Sequence, residues 1–158
     1  MEFSSLNAMA YIIHFCRTRE TPVPVNSTKA QKLLYCCYGA VLADTNERLT
    51  DEHPRAWMYG PVFPDAYRAV DKKRLTVGMA KQFARECQEE TLALVDRTLA
   101  TFGRYTSEQL STWSGMKDSP WAKADPFAAL DDREIGMFFK PYLAVINNIG
   151  NAGATDEQ

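Results

Sequence analysis

The chain has 158 residues, the size of one ordinary domain, and its 46% hydrophobic and 24% charged residues suffice for one buried core. Eighteen Lys plus Arg against twenty Asp plus Glu leave a formal charge of -2, so no overall positive field draws the chain to nucleic acid or anionic lipid. Its longest apolar run, Leu33 to Ala43, is about half a bilayer span and is broken by Gly39, which argues against a membrane segment.

In chain order, Leu6, Met9, Ala10, Ile13 and Cys16 recur three and four apart and predict an amphipathic helix over Ser5 to Arg19. Met1 to Asn7 carries Glu2 where an export signal needs Lys or Arg, so no secretory leader is expected. Pro22 and Pro24 hold the next stretch extended. Thr28 and Gln31 then have capping-box spacing, and Ala30, Leu33, Leu34, Cys37, Tyr38, Val41 and Leu42 predict the strongest helix of the chain. Small or apolar residues on its other faces make it a central helix, with Gly39 admitting a close neighbour.

Ala56-Trp57-Met58-Tyr59-Gly60-Pro61-Val62-Phe63-Pro64 reads as an extended or tightly turned connector entering a short helix over Pro64 to Asp71, with a trans bond expected at Gly60-Pro61. Arg68, Lys72, Lys73 and Arg74, with Lys81 and Arg85, form a basic run opposed only by Asp71. Lys81 to Arg104 reads as one helix with Ala84, Cys87, Thr91, Leu94, Val95, Leu99 and Phe102 inward. Thr106 and Gln109 open a short helix bearing Leu110 and Trp113, and Asp131 with Glu134 opens the last one, in which Pro141 predicts a break near Lys140. The expected fold is mainly α, a single domain over 1–149 of about five to seven helices around the central one, with room for a short β ribbon at Trp57–Val62 or Leu75–Val77. Residues 150–158 read as a flexible polar tail.

The sequence carries little catalytic material. His14 could meet Cys36 or Cys37 as a thiol–imidazole dyad, but nothing around it resembles a nucleophile motif, and His53 falls in a polar loop. Cys16, Cys36, Cys37 and Cys87 read as reduced thiols serving as small core residues in a cytoplasmic protein. No metal-ligand or phosphate-loop spacing occurs, so no metal or cofactor is expected. Tyr67 and Phe83 flank the basic run and could stack on single-stranded nucleic acid, although a solvated helix end is the commoner meaning of such a run, and nucleic acid is not an expected partner.

Lys32-Leu33-Leu34-Tyr35, then Trp57-x-Tyr59-Gly60-Pro61-Val62-x-Pro64-x-x-Tyr67, then Ser119-Pro120-Trp121 resemble, in order and spacing, the Panacea antitoxin-domain family of SocA-like proteins, over about Leu6 to Phe139. Where that family often has Thr-His before the Ser-Pro-Trp turn, this chain has Trp113-Ser114-Gly115-Met116. The resemblance implies a cytoplasmic bacterial or phage protein, not an enzyme, that neutralises a cognate protein toxin by direct binding and in the SocA type hands it to a Clp-type protease. The alternative is a phage or mobile-element protein that blocks a host defence component. Trp57, Tyr59, Gly60, Pro61, Val62, Pro64 and Tyr67 then have two readings, a cluster of binding anchors or a wedge seating the short helix on the central helix. The wedge takes precedence, because large aromatics are usually core and Gly and Pro usually answer backbone requirements.

Overall fold

A computed structural model of the chain describes the backbone of residues 2–156 and the side chains of residues 2–149. Its axis is the expected central helix, α2 (Ser27–Thr45), buried continuously from Lys29 to Leu42. Asn26, not Thr28, is its cap: the Asn26 backbone is extended, and its side-chain oxygen accepts from Lys29 N at 2.8 Å. Gln31 is thereby released from capping for another partner. The first helix, α1 (Ser5–Thr18), lies against α2 with Ser5, Ala8, Met9, Ile12 and Cys16 inward. Its start is fastened from a distance, since the Asp51 carboxylate accepts from Ser5 N at 3.1 Å.

The ribbon forms at the first of its two expected places. β1 (Arg55–Trp57) and β2 (Gly60–Val62) pair antiparallel, with Arg55 opposite Val62, Ala56 opposite Pro61 and Trp57 opposite Gly60. The far edge of β1 is covered by the chain at 127–130, where Ala56 N donates to Ala128 O at 2.9 Å and Phe127 N to Ala56 O at 2.7 Å. The trans Gly60-Pro61 bond leads through Phe63 into α3 (Pro64–Asp71), as expected. Phe63 has no capping side chain, and Glu52 supplies the cap, accepting from Asp65 N and Ala66 N at 2.5 and 3.2 Å.

The helix expected over Lys81 to Arg104 is two. α4 (Val77–Glu86) starts earlier, on Thr76, whose hydroxyl accepts from Met79 N, so Leu75–Val77 is not a strand. Cys87 and Gln88 are extended and separate it from α5 (Glu89–Phe102), which opens on Glu89 and Glu90 where the helix dipole favours carboxylates. α6 (Ser107–Ser114) has the expected Thr106–Gln109 capping box. α7 (Pro120–Lys123) is capped by Ser119 and α8 (Asp132–Phe139) by Asp131. Pro141 breaks the helix as expected: Lys140–Tyr142 is a 3-10 turn, followed by α9 (Leu143–Asp156). The tail expected over 150–158 falls on residues whose side chains, and at 157 and 158 whose backbone, lie outside the described residues.

Around α2 the core is strongly aromatic. The Phe139 ring of α8 lies over Gly39, where an added Cβ would sit 2.0 Å from it, and it meets Tyr35 edge-on at 5.3 Å and Trp113 at 5.5 Å. Such pairs add about 0.5–1.5 kcal/mol each beyond area burial. Among the described residues no helix is long and apolar enough to cross a membrane.

Candidate functional site

The three sequence motifs, far apart in the chain, meet at the β1–β2 hairpin. From α2, Lys32 points its ammonium into the protein and donates to Pro61 O at 3.0 Å, while Gln31 Oε1 accepts from Phe63 N at 2.9 Å. From α7, Trp121 Nε1 donates to Trp57 O at 2.6 Å. The Trp57 ring stands edge-on to Tyr67 of α3 at 5.4 Å. The hairpin backbone is thus gripped from both sides by side chains borne on helices.

Lys32 is the unusual member. It is 2% exposed, no ion pair is found for it among the described residues, and burial lowers its pKa to about 8, partly offset by the Cys36 thiol one turn on. Gly60 makes room for it: at φ +123 that residue occupies a backbone region suited to glycine, and an added Cβ would lie 2.8 Å from Lys32 Nζ. The cluster is costly. Gln31 Nε2 and the Tyr35 hydroxyl are buried with no hydrogen-bond partner among the described residues, at about 1–3 kcal/mol for each such group.

This arrangement divides the seven motif residues. Gly60, Pro61, Val62 and Pro64 are buried, Trp57 is half-buried, and Tyr67 is exposed beyond its contact with Trp57. Tyr59 is different: at the tip of the hairpin it is 80% exposed, beside Met58 at 70%. A wedge reading fits the buried four and not Tyr59. The two tip side chains border an open groove of about 740 Å³ whose other walls include Met116, Ser111 and Trp121, with Glu108 as its one charged wall.

The basic run separates from this site. Arg68 is exposed and paired with Asp65 at 2.8 Å, and Lys72, Lys73 and Arg74 are exposed at the end of α3. Phe83 cannot stack on a nucleic acid base, because it is in the core, edge-on to Phe3 at 5.4 Å. Tyr67 already faces Trp57.

His14 lines a groove with Arg17 and Lys73 and without any cysteine, so the dyad suggested for it is not assembled. All four thiols are buried, and burial raises the pKa of each, to about 11 for Cys87. That keeps them protonated and poorly nucleophilic. His53 Nδ1 stands 4.0 Å from Asp132, whose carboxylate also holds Arg48 and the Tyr38 hydroxyl. No group of three or more His, Cys, Asp or Glu is placed to hold a metal ion among the described residues.

Sequence reasoning missed Lys32 and Gln31 as parts of the clamp. The available signal was a lysine and a glutamine at positions where the helix is otherwise apolar on every face.

Fold and site together define a helical domain that displays a fixed hairpin tip. The family model described as antitoxin SocA-like, Panacea domain, matches residues 31–122, and the chain belongs to that family. All three motifs fall inside the match, which is shorter than the Leu6 to Phe139 span read from the sequence. Antitoxin SocA of Caulobacter vibrioides (strain NA1000 / CB15N) is 28% identical over 111 residues, 63% of this chain and 59% of that relative, so the likeness spans under two thirds of the relative's length. No solved structure matches.

Proposed function

We propose that the protein is an antitoxin that neutralises a partner protein toxin by direct binding, with Met58 and Tyr59 as the anchoring side chains. One observation carries this reading: two large apolar side chains stand exposed on a hairpin whose backbone is fixed by Lys32, Gln31 and Trp121. Anchors on a rigid turn lose little conformational freedom on binding, and exposed Tyr and Met are enriched at the centres of interfaces. Family membership supplies the class of partner. The four free thiols favour action in the cytoplasm. Delivery of the bound toxin to a Clp-type protease belongs to the same reading and separates from simple sequestration by a fall in toxin level.

The test is co-purification of the product of the adjacent reading frame with tagged protein, wild type against Tyr59→Ala. A hot-spot truncation of about 2 kcal/mol weakens binding roughly thirtyfold. Loss of the complex with an unchanged melting temperature supports the reading, and an equally strong complex refutes the role of the tip.

A further inference from the structure

A second groove, of about 680 Å³, lies between α1, the end of α3 and the start of α4, and it shares no lining residue with the hairpin groove. Its chemistry is one-sided. His14, Arg17 and Lys73 line it, no carboxylate does, and Ile13, Val70 and Val77 are among its apolar walls. In a chain of net charge -2 this is a local excess of positive charge. Arg17 and Lys73 are exposed and have no ion-pair partner among the described residues, unlike Arg68 nearby. Val77 is 53% exposed although it opens a helix.

The backbone adds an independent observation. Lys73 has φ 54, and Arg74 N donates back to Ala69 O at 2.9 Å, the helix-ending turn that usually carries glycine at this place. A lysine there costs about 1 kcal/mol against glycine. Asn46, Asp118 and Phe127 also have positive φ, and what sets Lys73 apart is that it lines the groove.

We infer that the α1–α3–α4 groove is a second docking site, for an acidic peptide segment of a partner in which carboxylates alternate with aliphatic residues. The carboxylates meet Arg17 and Lys73, and the aliphatic side chains meet Ile13, Val70 and Val77. A peptide fits better than a nucleic acid strand, because the apolar walls are aliphatic, with no Phe, Tyr or Trp among the lining residues and the His14 imidazole as the one ring on which a base could stack. The inference is independent of the identity of the toxin.

The experiment is selection of a displayed random-peptide library on the full-length protein, followed by anisotropy measurements with a labelled synthetic peptide of the enriched sequence. Enriched peptides are expected to be rich in Asp, Glu, Leu, Ile and Val. Their binding falls about tenfold or more in Arg17→Glu/Lys73→Glu, because each reversal places like charges together. Binding falls also in Val77→Ser, which removes the exposed apolar wall without adding a charge. Arg17→Gln/Lys73→Gln, with a smaller expected loss, guards against misfolding of the reversal variant. An enriched sequence that is basic, or one that binds all these variants as well as wild type, overturns the inference. So does loss in the charge variants with none in Val77→Ser, which leaves only a diffuse cationic patch. A single-stranded oligonucleotide that binds more tightly than the peptide and is lost in the same variants reassigns the groove to nucleic acid.

Discussion

Replacing Gly60 by Ala tests the hairpin clamp at its tightest point. Two costs arise from one added carbon. Gly60 sits at φ +123, where an L side chain is strained by about 1–3 kcal/mol. The new Cβ also lies 2.8 Å from Lys32 Nζ and 3.0 Å from its Cε, so the ammonium must withdraw and its 3.0 Å bond to Pro61 O weakens, which for a charged donor costs about 1.5–3 kcal/mol. The two share a relaxation and do not add fully, so a net loss of about 3 kcal/mol is expected, equivalent to roughly 6–12 °C in melting temperature for a chain of this size. Thermal unfolding by circular dichroism reads it. The same substitution in a Lys32→Met background separates the parts, because the ammonium contribution disappears while the backbone strain remains. A Gly60→Ala protein melting with wild type refutes the clamp, and equal losses in both backgrounds refute the role of Lys32.

Gly39→Ala should destabilise by about 2 kcal/mol despite a helix-propensity gain of about 1 kcal/mol, because its Cβ falls 2.0 Å from the Phe139 ring. Phe139→Leu in the same chain should lessen the difference, and a Gly39→Ala protein at least as stable as wild type in urea contradicts the α2–α8 packing. Lys32 gives a pH signature. Folded, it releases its proton near pH 8, and unfolded near 10.5, so in between the unfolded chain holds more protons and stability rises with pH, by at most about 1.4 kcal/mol per pH unit. The buried thiols act oppositely as the pH approaches 9, where the unfolded chain loses protons that the folded chain retains. Four thiols oppose one lysine, so the wild-type urea midpoint should be nearly level around pH 8 and fall toward pH 9, and Lys32→Met should fall more steeply over that interval; equal slopes in the two proteins refute the assignment. A thiol-reactive chromophore should modify all four cysteines only as fast as the protein opens, and prompt labelling of any one would place that thiol outside the core.

The helices were legible because their signals are local. The three–four apolar repeat of α2, the capping box at Thr106 and the break at Pro141 each depend on a few neighbouring residues. The α4–α5 boundary was not legible, since Phe83, Cys87, Leu94 and Val95 continue one apolar face across Cys87 and Gln88, where the backbone turns extended. Remote caps such as Glu52 on α3 and Asp51 on α1 join segments that no local pattern connects.

At the candidate site the motif residues were visible, but their division was not. Alternation along a three-residue strand cannot tell a tip from an anchor, and Tyr59 shares its composition with the buried aromatics. Only the hairpin register, with Trp57 opposite Gly60, puts Met58 and Tyr59 outside both strands. Lys32 was hidden for a different reason, because burial of a lysine with no ion pair among the described residues runs against the usual cost of desolvating a charge.

The most direct test of antitoxin action through the hairpin tip is growth of cells expressing the adjacent reading frame together with this protein, wild type against Met58→Ala/Tyr59→Ala, with the melting temperature of the double variant measured alongside. Rescue by wild type and loss of rescue by the variant are expected, with a melting temperature within about 2 °C of wild type, since both side chains are exposed. Full rescue by the variant, or no rescue by wild type, would contradict antitoxin action through the hairpin tip.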